Sequence, residues 1–574
     1  MKRLLVALII LTSTLAPSAP AQDASMDIIL KAMRDEMTRA TQLRLAGFSG
    51  PYFVEYSLDD GESVTAVASL GGLLSKGVNR IRFPRAQVRV GGYDLDNTNS
   101  VYSRYGSSSR FDPEQLASEA GYEHIRRHFW LATDRAYKNA VESFARKQAA
   151  MRSVNQSEKI NDFAKAEPKK VIHPVTKYPV DVDIWASRVK SLSLVFSKYP
   201  KILDSSVEFS SSQSTFYLVN SEGSEVRTPD HLVSVTARAA AQAPDGMLLA
   251  DAAVILSANP AAMPSEAEMQ REVKKLAESV TALAQAPVGE SYSGPVLFES
   301  IASAQLFAEL LGSNLALSRK PINEPGRDMQ VPLSELEGRI GSRILPEWMD
   351  VVDDATQTEW RGRPLFGKYL ADMDGISPKP VNLVEKGVLK TYLMSRLPVR
   401  GLEGSNGHGR MPGPFGASAA AIGTMFVRAN QTAPLADLKK KLIEMVQARG
   451  KPYGMLIRKN GFPAVSLPSR ANGSTRLVSA PVLVYKVYPD GREELVRGLR
   501  YRNLSVRTLK DIIAASDENF VFDFIGNAAP LSLMGAGGYI MNATVVAPAI
   551  LFDDFELERP QEELPKQPVV PPPS

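Results

Sequence analysis

The chain has 574 residues and no cysteine among them. That absence excludes disulfides, thiolate zinc sites, a cysteine nucleophile and a cysteine-linked lipid anchor, so stability has to come from the packed core and its polar contacts. Histidine is nearly as scarce, with five in the whole chain, which leaves little imidazole for metal sites or proton transfer. Charge of either sign is nearly balanced: the net is +4, and +2 once Lys2 and Arg3 are set aside. No long basic run and no alternation of arginine with aromatic residues occurs, so the electrostatic footprint of nucleic-acid binding is missing. No apolar run after the N-terminal segment reaches the roughly 20 residues that span a bilayer, and stable membrane insertion is not expected. A Gly-x-Ser-x-Gly elbow, a P-loop and a dinucleotide fingerprint are all lacking, which disfavours α/β-hydrolase and nucleotide chemistry.

What is present begins with an export pattern. Lys2 and Arg3 precede an apolar core from Leu4 to Leu15, and Ala19-Pro20-Ala21 supplies a small-residue cleavage site. The reading is a signal peptide over 1–21, cut after Ala21, and an exported (periplasmic or secreted) product. A hydrophobic share of 44% and a charged share of 23% are ordinary for globular proteins. A mature chain of about 550 residues can bury enough surface to fold without disulfides, as roughly two to four domains.

Patterning divides the rest. Residues 25–47 have helical spacing, and short alternating segments such as Tyr52–Tyr56, Val64–Ala68, Ile81–Phe83 and Gln87–Val90 read as strands. Residues 113–150 read as helix and 151–180 as loop. A second strand set contains Ser214–Val219 and His231–Val235, with Asn220-Ser221-Glu222-Gly223 as a tight hairpin turn. Ser265 and Glu268 fit a capping box that opens a helix over 265–286, whose stripe is Met269, Val273, Leu276, Val280 and Leu283. Pro287 and Gly289 mark the main boundary, giving an α+β domain over 22–287 and a mainly β domain over 288–560. One further helix is expected at 434–449, and 561–574 is a Pro-rich tail expected to be disordered.

Four segments carry a family resemblance, in order along the chain. They are Tyr217–Gly223; Gly294–Gly312; Val381–Leu393 with the glycine-rich Gly404–Arg410 behind it; and Ala547–Asp554. Together they resemble the TldD/PmbA family of metallopeptidase-related proteins, also called modulators of DNA gyrase. The resemblance implies the family's α+β architecture, an α+β N-terminal domain followed by a mainly β C-terminal one. It also implies zinc held by two histidines of a His-Glu-x-x-x-His motif and by a cysteine nearer the C-terminus. This chain departs from that motif. Phe298 and Ser303 stand at the histidine positions, only Glu299 remains, and the cysteine segment aligns with Leu533–Gly538, which has no thiol. A zinc hydrolase needs about three protein ligands and an open position for a water whose pKa the metal lowers. Phe298 has no lone pair and neutral Ser303 is a poor ligand, so the family's zinc is expected to be absent, no cofactor is expected, and no catalytic or metal-binding residue is assigned. The segment 294–312 is read as a helix with Phe298, Ile301, Ala302, Leu306, Leu310 and Leu311 on its apolar face. Glu299 would sit in its first turn, where a carboxylate suits the helix dipole.

Other constellations are weaker. His124 and His128 are four apart on one expected helix face without a third ligand. His173 and His231 are isolated, and His408 sits in a loop whose glycines are read as giving backbone freedom. Asp372-Met373-Asp374-Gly375 starts like a calcium loop, but Pro378 and Pro380 interrupt it, so it reads as a turn. Whether the chain is an enzyme stays open at this point. The resemblance implies homodimers or heterodimers in which a subunit without the motif accompanies one that has it. The leading expectation is therefore a silent subunit that binds peptide or unfolded polypeptide beside a motif-bearing partner. The alternatives are a peptidase with a metal-free mechanism or with ligands drawn from residues such as His124, His128, His408 or Asp553, and a stand-alone periplasmic peptide-binding or chaperone-like protein.

Overall fold

A computed structural model describes residues 27–44, 50–101, 116–152, 159–317, 319, 321–323, 334–412, 418–461, 478–527 and 540–561. The expected signal peptide, the segment 533–538 and the tail beyond Gln561 lie outside the described residues.

The first half is built on one six-stranded sheet. Helix α1 (Ile28–Ala40) leads into a long hairpin, β1 (Phe53–Ser69) and β2 (Gly72–Arg89), where the alternation had suggested four short strands. Helix α2 (Tyr122–Met151) and α3 (Val182–Ser193) follow. A second hairpin, β3 (Ile202–Asn220) and β4 (Glu225–Gln242), then pairs with β1, and β5 (Leu248–Ser257) closes one edge. The hairpin turn forms where the sequence placed it. Asn220 accepts the amide protons of Glu222 and Ser224, and Gly223 takes φ 101°, a conformation that favours glycine. Helix α4 (Glu266–Gln285) starts on the expected capping box, with Ser265 and Glu268 bonded reciprocally.

Period-2 alternation gives this sheet two unlike faces. Val233, Val235, Ala237, Ala239 and Ala241 of β4 join Val64, Ala66 and Phe209 under α3 and α4. Val54, Tyr56, Leu58, Tyr217 and Val219 pack under α1 and α2. Among the described residues the other face carries no helix, and its Leu218 and Val226 lie beside Gly375 of the second half.

That second half holds an eleven-stranded sheet. Its strands are β6 (Tyr292–Phe298), β7 (Met349–Asp353), β8 (Val381–Glu385), β9 (Val388–Leu389), β10 (Thr424–Ala429), β11 (Gly454–Asn460), β12 (Pro481–Val487), β13 (Glu493–Val496), β14 (Ile512–Asn527) and β15 (Ile540–Glu558), with Arg500–Tyr501 added against β15. The path is β9-β8-β7-β10-β15-β6-β11-β12-β13, and β14 also pairs with β15. Two pairings are parallel, β10 with β15 and β6 with β11. Helix α5 (Ile301–Leu306) crosses one face, and α6 (Leu435–Ala448) covers the other with Leu438 and Leu442 packed on Leu297, Leu456 and Leu551. The fold is α+β with a β-rich C-terminal part.

One reading of the sequence is corrected here. Residues 294–298 belong to strand β6, not to a helix, and the helix begins at Ile301. Apolar positions 296–298 satisfy either period, and the choice falls to strand because β11 and β15 flank them on both sides and take up their backbone groups. Pro295 and Gly294, poor residues inside a helix, were the local warning.

The two halves meet through buried polar groups. Arg396 is fully buried, forms a two-pronged ion pair with Glu222 at 2.7 Å for each prong, and stacks over Phe163. Nearby, Lys147 pairs with Asp162, and Arg89 with Asp96, in the same dry layer.

Candidate functional site

The three motif positions straddle the end of β6. Phe298 is the last strand residue, is fully buried, and its ring lies 5.2 Å from Phe555, 5.5 Å from Phe552 and 6.2 Å from Tyr501, centroid to centroid. Edge-to-face aromatic packing of this kind is stabilising beyond the area buried. Glu299 follows in the connection, not in a first helical turn, and its amide donates to the Ile457 carbonyl at 3.0 Å. Its carboxylate pairs with Arg458, which also grips Glu493 at 2.8 and 3.0 Å. Ser300 then turns the chain at φ 54°, a conformation that non-glycine residues rarely adopt. Ser303 is fully buried on α5 and donates its hydroxyl to the Pro548 carbonyl at 2.5 Å.

These environments do not fit zinc. The position of the first ligand is a carbon-only aromatic cluster, the hydroxyl at the second is already donated to a backbone carbonyl, and the remaining carboxylate is neutralised by a guanidinium. A metal site requires lone pairs converging on an open centre.

Beyond Ser303, α5 widens into a π-helical segment over Phe307–Gly312. Gln305 pairs reciprocally with the Asn460 backbone at 2.8 and 3.1 Å, and Asn460 in turn accepts from the Tyr501 hydroxyl at 2.6 Å. Glu309, on the widened turn, accepts from the hydroxyl of Ser479 at 2.9 Å and from its amide. Burial pushes the Glu309 carboxyl up to about 7. No local pattern pointed to Glu309, whose surroundings come from a segment 170 residues away.

The remaining candidates do not converge. His124 and His128 lie on α2 over the first sheet, the former exposed. Asp553, on β15, is paired with Arg449 at 2.5 Å. His231 stacks on Tyr178 at 4.4 Å, and burial depresses its imidazole to about 4. Among the described residues no three His, Asp or Glu side chains are placed to share a metal ion.

His408 departs most from its reading. Far from lying in a loose loop, it is fully buried, with Nε2 3.1 Å from Asp353 Oδ1 and Nδ1 3.0 Å from Asn406 Oδ1. The turn at Asp372–Gly375 docks on the same loop. Asp372 accepts the amides of Asp374, Ile376 and Gly409 at 2.8–2.9 Å, and burial beside Asp374 raises its carboxyl well above the usual carboxylate range. Glycine is required at 409, because a side-chain carbon there would sit 2.4 Å from Asp374 Oδ2. The glycines therefore permit close packing here.

Comparison with known proteins fits this geometry. The profile of the PmbA/TldA metallopeptidase C-terminal domain matches residues 291–558, the span of the eleven-stranded sheet. Residues 291–558 are a TldD/PmbA-family C-terminal domain. TldE from Thermococcus kodakarensis has a similar fold, with a TM-score of 0.59 at 14% identity, over 92% of this chain and 100% of that one. A protein described as a modulator of a DNA gyrase from Thermotoga maritima gives 0.56 at 12% identity, over 92% and 99%. A third, described as a modulator of DNA gyrase from Bacteroides thetaiotaomicron, gives 0.54 at 12% identity, over 94% and 100%. At these identities the likeness is one of fold. A metalloprotease of Methanocaldococcus jannaschii is 38% identical over 63 residues, a match that covers 11% of this chain and 13% of that protein's length. Among the described residues no helix is long and apolar enough to cross a membrane.

Proposed function

We propose that this member of the TldD/PmbA family is an exported, catalytically silent subunit that binds peptide or unfolded polypeptide and pairs with a motif-bearing TldD-like partner. One observation carries the reading. The two positions that hold zinc-binding histidines in the family's motif are here a core phenylalanine and a serine bonded to the Pro548 carbonyl. Substitution to packing residues, with the surrounding strand and helix intact, removes the metal and retains the scaffold. The resemblance to families in which silent and active subunits pair supports the partnership, and the N-terminal export pattern supports a periplasmic or secreted location.

The first test is elemental analysis of the purified mature protein, prepared without a metal-binding tag. The expected result is zinc below about a tenth of an equivalent per chain, and a value near one equivalent overturns the silent-subunit reading. The second is co-purification with a motif-bearing paralogue. A stable complex or a change in the partner's peptidase rate supports pairing, and neither appearing refutes it.

A further inference from the structure

Asp230 on β4 stands on the helix-free face of the first sheet, its side chain accessible at the surface yet crowded by surrounding protein. It lies opposite Ser214, which in turn pairs with Gly61 across the sheet. Across from Asp230 stands strand β15. The Asn542 side-chain amide lies 3.5 Å from Asp230 Oδ2, while the Asn542 carbonyl holds Arg410 Nη1 at 2.8 Å. Arg410 Nη1 also donates to the Ile422 carbonyl at 3.0 Å, and its guanidinium lies 4.2 Å over the Tyr369 ring. Two residues along β15, the Thr544 hydroxyl accepts the amides of Phe366 and Gly367 at 3.1 and 2.9 Å and so fixes the turn that presents Lys368.

Two features of this arrangement are incomplete. Arg410 uses Nη1 on two backbone carbonyls, while its Nε–Nη2 edge, the fork that grips a carboxylate through two parallel bonds, meets no acceptor among the described residues. Lys368 is exposed and forms no ion pair among the described residues. Neither cation pairs with Asp230 among the described residues; crowding by protein raises the Asp230 carboxyl above the usual carboxylate range, and the charges of Arg410 and Lys368 oppose that rise. The guanidinium is held in place by the Gly404–Arg410 loop, itself pinned through His408 and Asp353, so its orientation is set before any ligand arrives.

We infer that Arg410 and Lys368 form a receptor for the carboxylate of a bound peptide, at the junction of the two sheets and opposite Asp230. The inference rests on the peptide-binding reading above. The group recognised is a carboxylate, whether at the end of a chain or on an acidic side chain.

The test is fluorescence titration of the full mature protein with dansylated penta-alanine, with its C-terminus either free or amidated, and with an amidated version carrying one internal glutamate. The free acid is expected to bind at least about tenfold more tightly than the amide, the range for a charge-assisted two-pronged contact. Binding of the glutamate peptide at the free-acid level assigns the site to acidic side chains, and binding at the amide level assigns it to chain ends. Lys368→Ala, at an exposed position that cannot disturb folding, weakens the free acid several-fold without affecting the amide. Arg410→Met removes the preference. Asp230→Asn, which takes away a facing acid, tightens the free acid, a gain that a merely structural role would not produce. Equal affinity of wild type for free acid and amide overturns the carboxylate receptor while leaving peptide binding standing. No binding of any peptide overturns both.

Discussion

Restoring the two missing histidines, Phe298→His with Ser303→His, should destabilise the protein and should not restore zinc. Phe298 is fully buried against three aromatic rings. Removing a core phenylalanine entirely costs about 3–5 kcal/mol. A histidine recovers part of that volume, but it forfeits aromatic contacts of about 0.5–1.5 kcal/mol per pair and buries a ring N–H without a partner at about 1–3 kcal/mol. The expected loss for Phe298→His alone is therefore about 3 kcal/mol near pH 8. It grows in acid. The buried imidazole has a folded pKa below its unfolded value of about 6.5, so the unfolded state binds the extra proton and stability falls further as pH drops through that value. Ser303→His adds overpacking, since Ser303 is fully buried beneath Pro548. Calorimetry between pH 5 and 8, with zinc content measured on the same samples, decides the matter. A double variant that melts at the wild-type temperature and holds about one zinc per chain would refute the argument that these positions have become core.

Two further perturbations separate other parts of the structure. Arg396→Met removes the countercharge of Glu222, leaving it only the Tyr93 hydroxyl among the described residues, and is expected to destabilise by about 3 kcal/mol, with Glu222→Gln in the same chain recovering part of it; calorimetry together with limited proteolysis reports whether the two halves separate. Glu309, pushed up to about 7 from its ordinary 4.5, binds its proton more tightly folded than unfolded, so stability should fall as pH rises from about 4.5 to 7 and level off above. Glu309→Gln is expected to flatten that slope, worth about 3 kcal/mol across the window, and an unchanged pH profile would show that the carboxyl is not desolvated as described.

How much was legible in advance differs by element. The capping box at Ser265 and Glu268, the turn at Asn220–Gly223 and the helix over Leu435–Ala448 formed where the sequence placed them, because each depends on residues within about one turn of one another. Val381–Glu385 and Val388–Leu389 form a hairpin around Lys386 and Gly387, both at positive φ, as expected for a strand-turn-strand. The helix expected at 294–312 was misread over its first residues, because a short apolar run has no decisive period and its neighbours in the sheet come from residues 454–460 and 540–558.

By itself, the sequence determined which donor atoms stand at the positions of the family's motif. With no cysteine, and with phenylalanine and serine where the family motif has histidines, the zinc ligands are missing whatever the fold. That conclusion needs only the identity of the donor atoms. Tertiary structure alone decided what became of the vacated positions and where new chemistry gathers. Phe298 is core because three distant aromatic rings close on it. His408 is a brace because Asp353, 55 residues away, meets it without solvent. Arg410 is held in one orientation because a carbonyl 132 residues further on takes up one side of its guanidinium. Such contacts depend on distances between segments that no local pattern encodes, since the pairing of sheets and the entropy of closing long loops are settled only when the whole chain packs.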